Sequence, residues 1–198
     1  RLVLDHLRSS CLRRGVHTRY GSAVQMIRDG MIETETGSEL FDHVIIASGA
    51  WTPDLARASD LELFGEPVKG QLVRIAAGDD VLERFVHSHH VYLVPRRGLG
   101  LVVGSTMVDS GFDKRQDQEA ISALCLQARR LLPTLSSASI LETWTGLRPR
   151  LIGGLPVIAQ ARPQLTVATG HFRNGILLAP ITGAAVTAAA SAEWPDPA

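Results

Sequence analysis

The sequence lacks the features that mark several common classes of protein. Lys+Arg and Asp+Glu are balanced at 20 each, so no excess charge predicts a nucleic acid or an acidic membrane surface as a partner. No apolar run reaches the ~18 residues that a membrane-spanning helix needs. The two cysteines, Cys11 and Cys125, show neither metal-binding nor redox spacing, which predicts reduced thiols in a cytoplasmic protein. The remaining composition, 45% hydrophobic and 20% charged over 198 residues, is typical of a globular chain.

Two catalytic patterns are also absent or incomplete. No Gly-x-Ser-x-Gly sequence is present, which argues against a hydrolase with its nucleophilic serine on a strand-to-helix turn. His87 and His89 could share one face of a strand and begin a metal site, but no third ligand follows at a recognisable spacing. A solvated strand end is the favoured interpretation of these histidines, and no metal is expected.

The first part of the chain has the pattern of an α/β domain. Residues 2–14 predict an amphipathic helix, and a hairpin turn at Asp29-Gly30 joins extended segments at 16–27 and 31–36. A second turn is expected at Gly37-Ser38. The continuous apolar run at the end of 41–47 predicts a strand buried on both faces of a parallel sheet.

The pattern changes to that of a mostly antiparallel sheet in the middle of the chain. The strands predicted there are 67–75, 91–95, 99–104 and 140–145. One helix is predicted to begin at a capping box formed by Asp113 and Gln116 and to end at Pro133. Strands at 155–158 and 165–169 and a final helix then restore the first pattern. We therefore expect an α/β plus α+β fold, in which segments 1–64 and 151–198 form one domain and 65–150 is inserted as another.

A glycine-bearing turn at residues 170–183 links the last predicted strand to the alanine-rich final helix, 180–191. Pro180 is expected in the first helical turn, where its missing N–H needs no partner. The N–H groups of a helix N-terminus create a partly positive pocket suited to an electron-rich ligand. His171, Arg173 and Asn174 add polar side chains at the same place. The alternative is an ordinary connection between a strand and a helix.

Six segments in a fixed order resemble the FAD-dependent D-amino acid oxidase superfamily, most closely the glycine oxidases of the thiamine pathway. These segments are 44–51, 67–71, 92–96, 103–106, 144–149 and 170–180. The resemblance implies part of a Rossmann-like FAD-binding domain into which the antiparallel sheet is inserted as a substrate domain. It also implies FAD as the cofactor, with a small amino acid and O2 as the reacting partners.

The resemblance assigns roles to individual residues. Arg148 and Arg173 match a clamp for the carboxylate of an amino acid, which suits guanidinium because it binds carboxylates with two parallel hydrogen bonds. Tyr92 matches a tyrosine that contacts the substrate. The alternatives are structural or surface arginines and an aromatic residue packed in the core. The implied cofactor contacts are Val24, Gly49, Ala50, Trp51, His171, Phe172, Arg173, Asn174, Gly175, Ile176 and Leu177.

The implied reaction is the oxidative deamination of glycine, sarcosine or a D-amino acid to a 2-oxo acid, ammonia and hydrogen peroxide, without a side-chain base. Two features depart from the family pattern. The chain has no Gly-x-Gly-x-x-Gly turn for the FAD pyrophosphate, and 151–154 lacks the usual acidic residue before the glycine. We therefore expect the later half of such an enzyme, which alone is inactive and binds FAD weakly or not at all. Because the absent part would cover sheet edges and apolar surface, we also expect the chain alone to self-associate as a homo-oligomer or to be poorly stable.

Three alternatives to an amino acid oxidase remain at this point. Two belong to the same superfamily: a dehydrogenase that passes electrons to a carrier, and the flavin domain of a tRNA-modifying enzyme. The third is a non-catalytic remnant that keeps the substrate-domain sheet as a binding module. The sequence alone does not distinguish among the possible amino acid substrates.

Overall fold

The computed structural model describes residues 2–191, which form four α-helices and eleven β-strands. The helices are α1 (Leu2–Arg13), α2 (Thr52–Ala58), α3 (Gln118–Leu131) and α4 (Gly175–Ala190). The strands are β1 (Val24–Arg28), β2 (Met31–Thr34), β3 (Gly37–Leu40), β4 (Val44–Ile46), β5 (Gly65–Ile75), β6 (Val86–His87), β7 (Tyr92–Arg96), β8 (Gly100–Gly104), β9 (Ile140–Leu151), β10 (Val157–Arg162) and β11 (Leu165–Thr169). Short 3-10 helices lie at Gly49–Trp51 and Pro133–Leu135. None of the helices within residues 2–191 is long and apolar enough to cross a membrane.

The middle of the chain forms a five-stranded antiparallel sheet with the order β6-β7-β8-β5-β9. Helix α3 covers one face of this sheet because its apolar residues recur at helical spacing and reach the buried side together. The core formed between them consists of Val73, Ile75, Val91, Leu93, Leu101, Val103, Ile121, Leu124, Cys125, Ala128 and Leu135. Removing apolar side chains of this size from water stabilises the fold by roughly 1.5–3 kcal/mol each.

The two ends of the chain meet in a second, smaller sheet with the order β10-β11-β4. Strand β11 pairs in parallel with β4, with Leu165 opposite Val44, so the carboxyl ends of both strands lie at one edge. Strands β1, β2 and β3 form a separate antiparallel sheet beside them. The predicted fold class, α/β plus α+β, is confirmed. The division at 64/65 and 150/151 stays a prediction, and residues 192–198 of its last segment lie outside the described residues.

Two predictions for the first part of the chain are wrong in detail. The hairpin at Asp29-Gly30 is present, but the turn predicted at Gly37-Ser38 lies at residues 35–36. Gly37 already belongs to β3, where it pairs with Thr34 of β2. Strand β4 is buried on one side only. Val44 and Ile46 are 5% and 2% exposed, whereas Ile45 between them is 43% exposed.

The predicted starts of two helices are also wrong. Asp117, not Asp113, caps α3, and its carboxylate accepts hydrogen bonds from the backbone N–H groups of Glu119 (2.9 Å) and Ala120 (3.3 Å). Helix α4 begins at Gly175, so Pro180 lies inside the helix instead of in its first turn. The prediction placed proline where it costs a helix least, whereas in the structure α4 forms despite the hydrogen bond that Pro180 removes from its second turn.

Candidate functional site

Arg148, Arg173 and Tyr92 come from distant parts of the sequence and line one cavity of ≈ 270 Å³. The other lining residues are Phe85, His87, Ser105 and Phe172. No aspartate or glutamate belongs to this wall within the described part of the chain. The cavity therefore presents two guanidinium groups and a phenol without a protein carboxylate to neutralise them.

The guanidinium of Arg148 is held by the backbone and side chains that follow strand β8. Nη1 donates a hydrogen bond to the carbonyl oxygen of Thr106 (3.0 Å), and Nη2 donates to Oγ of Ser105 (2.8 Å). A guanidinium carries five N–H donors, so these two bonds leave three for a ligand. Arg148 lies within β9, opposite Val68 of β5, because that strand continues to Leu151 beyond its predicted end at 145.

The loop between β11 and α4 brings Arg173 to the same cavity. The backbone N–H of Phe172 donates to the carbonyl oxygen of Pro149, one residue beyond Arg148, at 3.1 Å. The N–H of Asn174 donates to the carbonyl oxygen of His171 at 2.8 Å, which tightens the loop. These two bonds position the exposed side chain of Arg173 beside β9.

Tyr92 begins β7 and forms the opposite part of the wall. It is half-buried, lies across from Gly104 of β8, and its ring centroid is 6.2 Å from that of Phe85. It does not belong to the hydrophobic core between the sheet and α3. Its hydroxyl is therefore available to a molecule bound in the cavity.

Burial lowers the pKa of the Arg148 guanidinium from its ordinary value. The positive charge of nearby Arg173 lowers this pKa further, whereas Tyr92 acts in the opposite direction. A guanidinium stays charged at physiological pH even so, and the direction of the shift shows that its charge is poorly compensated. An anion bound between Arg148 and Arg173 would supply the missing compensation.

A second cavity, of ≈ 520 Å³, lies between β1, β4 and the 3-10 helix at Gly49–Trp51. Val24 and Trp51 both line it, and most of its remaining wall is aliphatic. Trp51 is 50% exposed and stacks on Phe112 with ring centroids 5.6 Å apart, so it is not a core residue. This cavity offers an apolar surface with an exposed aromatic ring at its edge.

The turn at Gly49–Trp51, which follows β4, is tied to the end of β11. Oγ1 of Thr169 donates to the carbonyl oxygen of Gly49 at 3.2 Å. Ala50 is buried, with 3% exposure, so its side chain cannot reach a ligand. His171 is tied to the middle of α4, where its Nε2 lies 2.9 Å from Oγ1 of Thr182.

The first turn of α4 fits part of a flavin. Asn174 is the N-cap residue but makes no side-chain capping bond, so the N–H groups of the first turn, from Gly175 to Leu177, have no capping side chain. Ile176 and Leu177 are 67% and 76% exposed, which leaves apolar surface beside those donors. An aromatic ring system that gains negative charge would find both packing and N–H donors here. Among residues 2–191 there is no group of three or more His, Cys, Asp or Glu that could hold a metal ion.

Sequence reasoning missed the partners that position the Arg148 guanidinium. Ser105 and Thr106 lie in segment 103–106, which carried part of the resemblance, but their contact with Arg148 depends on how β8 and β9 flank β5. His87 was interpreted as part of a solvated strand end, and although exposed it lines the cavity beside Tyr92. Of the predicted residues, Tyr92, Arg148, Phe172 and Arg173 line one cavity, whereas Val24 and Trp51 line the other.

Comparison with known proteins identifies relatives over most of this chain. A model of the family described as FAD dependent oxidoreductase matches residues 1–189. The glycine oxidase of Pseudomonas putida is 38% identical over 151 residues, which are 75% of this chain and 41% of that protein. The bifunctional protein ThiO/ThiG of a Nostoc species is 39% identical over 160 residues, 78% of this chain and 24% of that protein.

The fold has the same relatives. The crystal structure of glycine oxidase from Geobacillus kaustophilus superposes with a TM-score of 0.82 at 34% identity, covering 88% of this chain and 49% of that one. This chain thus spans about half the length of the glycine oxidases that it matches. The predictions of the superfamily and of FAD as its cofactor are confirmed. Because the family match covers nearly every residue, this chain belongs to the FAD dependent oxidoreductase family.

Proposed function

We propose that this chain supplies the substrate site and part of the flavin site of an enzyme that oxidises glycine or another small amino acid, such as sarcosine or a D-amino acid. With O2 as the electron acceptor and water hydrolysing the imine, the products are a 2-oxo acid, hydrogen peroxide and ammonia, or methylamine in place of ammonia when the substrate is sarcosine. One observation carries the proposal: Arg148 and Arg173 line the same small cavity, and the described residues place no carboxylate in its wall. The glycine oxidases among its relatives support the same reaction.

In this proposal the substrate carboxylate binds between Arg148 and Arg173, and Tyr92 donates its hydroxyl to one carboxylate oxygen. A planar guanidinium fixes the orientation of a carboxylate as well as its position. A volume of ≈ 270 Å³ lies just below the range of ~300–1,000 Å³ common for ligand sites, which favours a small amino acid. A neutral amine without a carboxylate would leave both cations without a partner.

The same wall affects the protonation of the substrate amine. Two positive side chains disfavour a second cation nearby, and no acidic residue of the wall compensates an ammonium group. The site therefore favours a substrate with a neutral amine. Only the neutral amine has a lone pair that can drive the loss of hydride from the substrate Cα. The proposal assigns no side-chain base to that step, and the described lining residues include His87 without a carboxylate beside it.

The residues that would hold FAD are the turn at Gly49–Trp51 and the loop and helix start at 171–177, with the backbone at Val24 toward the adenine end. When bound, FAD supplies the acceptor for hydride and the route of electrons to O2. The N–H groups that begin α4 would stabilise negative charge on the ring, and Trp51, Ile176 and Leu177 would exclude water from it. A cytoplasmic location and a role in the thiamine pathway belong to the same proposal.

The test uses a joined protein, in which this chain follows a segment that supplies the Gly-x-Gly-x-x-Gly turn that it lacks. Anaerobic stopped-flow mixing of the FAD-loaded joined protein with glycine, sarcosine or D-alanine tests this function. We expect loss of the oxidised flavin absorbance with at least one of them and no loss with methylamine, which lacks the carboxylate. Subsequent mixing with O2 should restore the absorbance rapidly and release hydrogen peroxide. Slow reoxidation would favour a dehydrogenase, and a flavin that no amino acid reduces would refute the proposal.

A further inference from the structure

Gly70 of β5 lies directly against the guanidinium of Arg148. A Cβ atom added at Gly70 would come within 2.2 Å of both Nη1 and Nη2 and within 2.3 Å of Cζ. Arg148 is opposite Val68, and a side chain that leans along the sheet reaches the diagonal neighbour two residues farther, which is Gly70. The flat guanidinium therefore occupies the space that any other residue at position 70 would fill.

Gly104 of β8 has the same relation to Tyr92. A Cβ atom added at Gly104 would lie 2.6 Å from both Cζ and Oη of Tyr92 and 2.9 Å from Cε2. Tyr92 and Gly104 are direct cross-strand partners, so the tyrosine ring lies over the Cα atom of Gly104. Both polar groups on the β-sheet side of the cavity thus rest on a buried glycine.

A left-handed backbone conformation does not explain glycine at these positions. Neither Gly70 nor Gly104 has φ in the left-handed region, and both pair regularly within the sheet. Gly146 of β9, the partner of Gly70 in the same register, shows the contrast, because a Cβ atom added there would meet nothing within 4 Å. What distinguishes Gly70 and Gly104 is the side chain that lies on each of them.

We propose that Gly70 and Gly104 are positioning residues of the carboxylate site. Because glycine has no side chain, positions 70 and 104 leave the space in which the Arg148 guanidinium and the Tyr92 hydroxyl are held. This inference rests on the proposed function, since it assumes that these two groups bind the substrate carboxylate. A methyl group at position 70 would displace the guanidinium from the carbonyl oxygen of Thr106 and from Oγ of Ser105. The clash is with the end of a flexible side chain, so Arg148 moves while the sheet remains folded.

Substitution of each glycine by alanine tests the inference, with Gly146→Ala as the matched control in the paired strand. Acetate is the probe of the anion site in the FAD-loaded joined protein, measured by isothermal titration calorimetry, and acetamide is its uncharged control. We expect Gly70→Ala to weaken acetate binding at least tenfold and to raise KM for glycine by a similar factor. FAD content and Tm should stay near those of the wild type, and Gly146→Ala should change acetate binding less than twofold.

A double-mutant cycle shows whether the effect passes through Arg148. In an Arg148→Ala background the methyl group at 70 has no guanidinium to displace, so Gly70→Ala should change acetate binding less than twofold further. Gly104→Ala should likewise have little effect in a Tyr92→Ala background. If Gly70→Ala instead lowers Tm strongly, adding Arg148→Ala should restore it, because the clashing atoms are then absent.

The outcomes separate the two proposals. Wild-type acetate binding and KM in Gly70→Ala would overturn the positioning role, as would a lowered Tm that Arg148→Ala fails to restore. An equal, additive loss in the Arg148→Ala background would also overturn it, since the methyl group would then act by another route. Unchanged acetate binding in Arg148→Ala itself would instead refute the proposed carboxylate site.

Discussion

Replacing Arg148 by alanine is the most informative single change in the proposed substrate site. The substitution removes a guanidinium that is held by two hydrogen bonds, at 3.0 Å to Thr106 and 2.8 Å to Ser105, and that has three donors left for a ligand. Among the described residues, it leaves Arg173 as the one arginine in the cavity wall. Because Arg173 is exposed on a loop, it cannot orient a carboxylate as well as a residue fixed within β9.

The expected loss follows from the partial burial and poor compensation of this charge. Removing one partner from a desolvated, hydrogen-bonded charge pair costs about 2–5 kcal/mol. At ~1.36 kcal/mol per factor of ten, kcat/KM for glycine should fall about 30- to 5,000-fold. Arg148→Lys should recover only part of this loss, because an ammonium group cannot form two parallel hydrogen bonds with a carboxylate.

Steady-state oxidation of glycine, sarcosine and D-alanine by the FAD-loaded joined protein, followed by hydrogen peroxide release, measures the effect. FAD content should change little, because the proposed flavin contacts come from 49–51 and 171–177. Arg150→Ala is the matched control, since Arg150 lies two residues farther along β9 but pairs with Glu66 and with Asp109 (2.9 Å) outside the cavity. Exposed pairs of this kind contribute about 0–1 kcal/mol.

Values of kcat/KM within about twofold of wild type for all three amino acids would refute the assignment of Arg148, since that change corresponds to less than ~0.5 kcal/mol. An equal loss in Arg150→Ala would also refute it, because the effect would then reflect damage to β9. Residual activity toward an amine without a carboxylate should be unaffected by either substitution.

Three further predictions concern stability, acid titration and cofactor binding. Asp117→Ala should lower the free energy of unfolding by about 1 kcal/mol and Tm by about 2–4 °C, because α3 loses its cap. Asp113→Ala should lower Tm by less than half as much. Equal Tm changes in the two variants would contradict the cap assignment. Hydrogen bonds from the Arg115 side chain and backbone lower the pKa of Asp113 to about 2, so its stabilising contribution is present above pH ~4 and lost as the pH falls toward about 2. A carboxyl NMR titration should show that midpoint, and Arg115→Ala should raise it, whereas an unchanged midpoint would contradict the pairing. The purified 198-residue chain should carry little FAD because it has no Gly-x-Gly-x-x-Gly turn, and near-stoichiometric flavin absorbance would prove this wrong.

Local sequence signals predicted the elements whose structure is decided locally. The Asp29-Gly30 turn forms as expected, with φ of 46° and 79° at its two residues. The helix predicted between the capping box and Pro133 is present as α3, but the choice between Asp113 and Asp117 as its cap depended on tertiary structure. The backbone N–H of Asp117 is held by Oε1 of Gln71, 46 positions earlier in the chain, at 2.7 Å.

In the candidate site, too, some features could be predicted from the sequence and others depend on tertiary structure. Tyr92, Arg148 and Arg173 could be selected from the order of family-like segments, although nothing in their own neighbourhoods indicated that they line one cavity. The contacts of Arg148 with Ser105, Thr106 and Gly70 arise because β8 and β9 pair with opposite edges of β5. Such contacts depend on register and on the lean of a side chain, which no single segment of sequence encodes.

The most direct test of the carboxylate site is a crystal structure of the FAD-loaded joined protein with acetate bound. We predict a carboxylate between Arg148 and Arg173, with its oxygens within ~3.2 Å of donors on Arg148 and near the hydroxyl of Tyr92. Arg148 should keep its bonds to Thr106 and Ser105. A structure in which acetate avoids this cavity, or in which Arg148 turns away to pair with a protein carboxylate, would contradict the account.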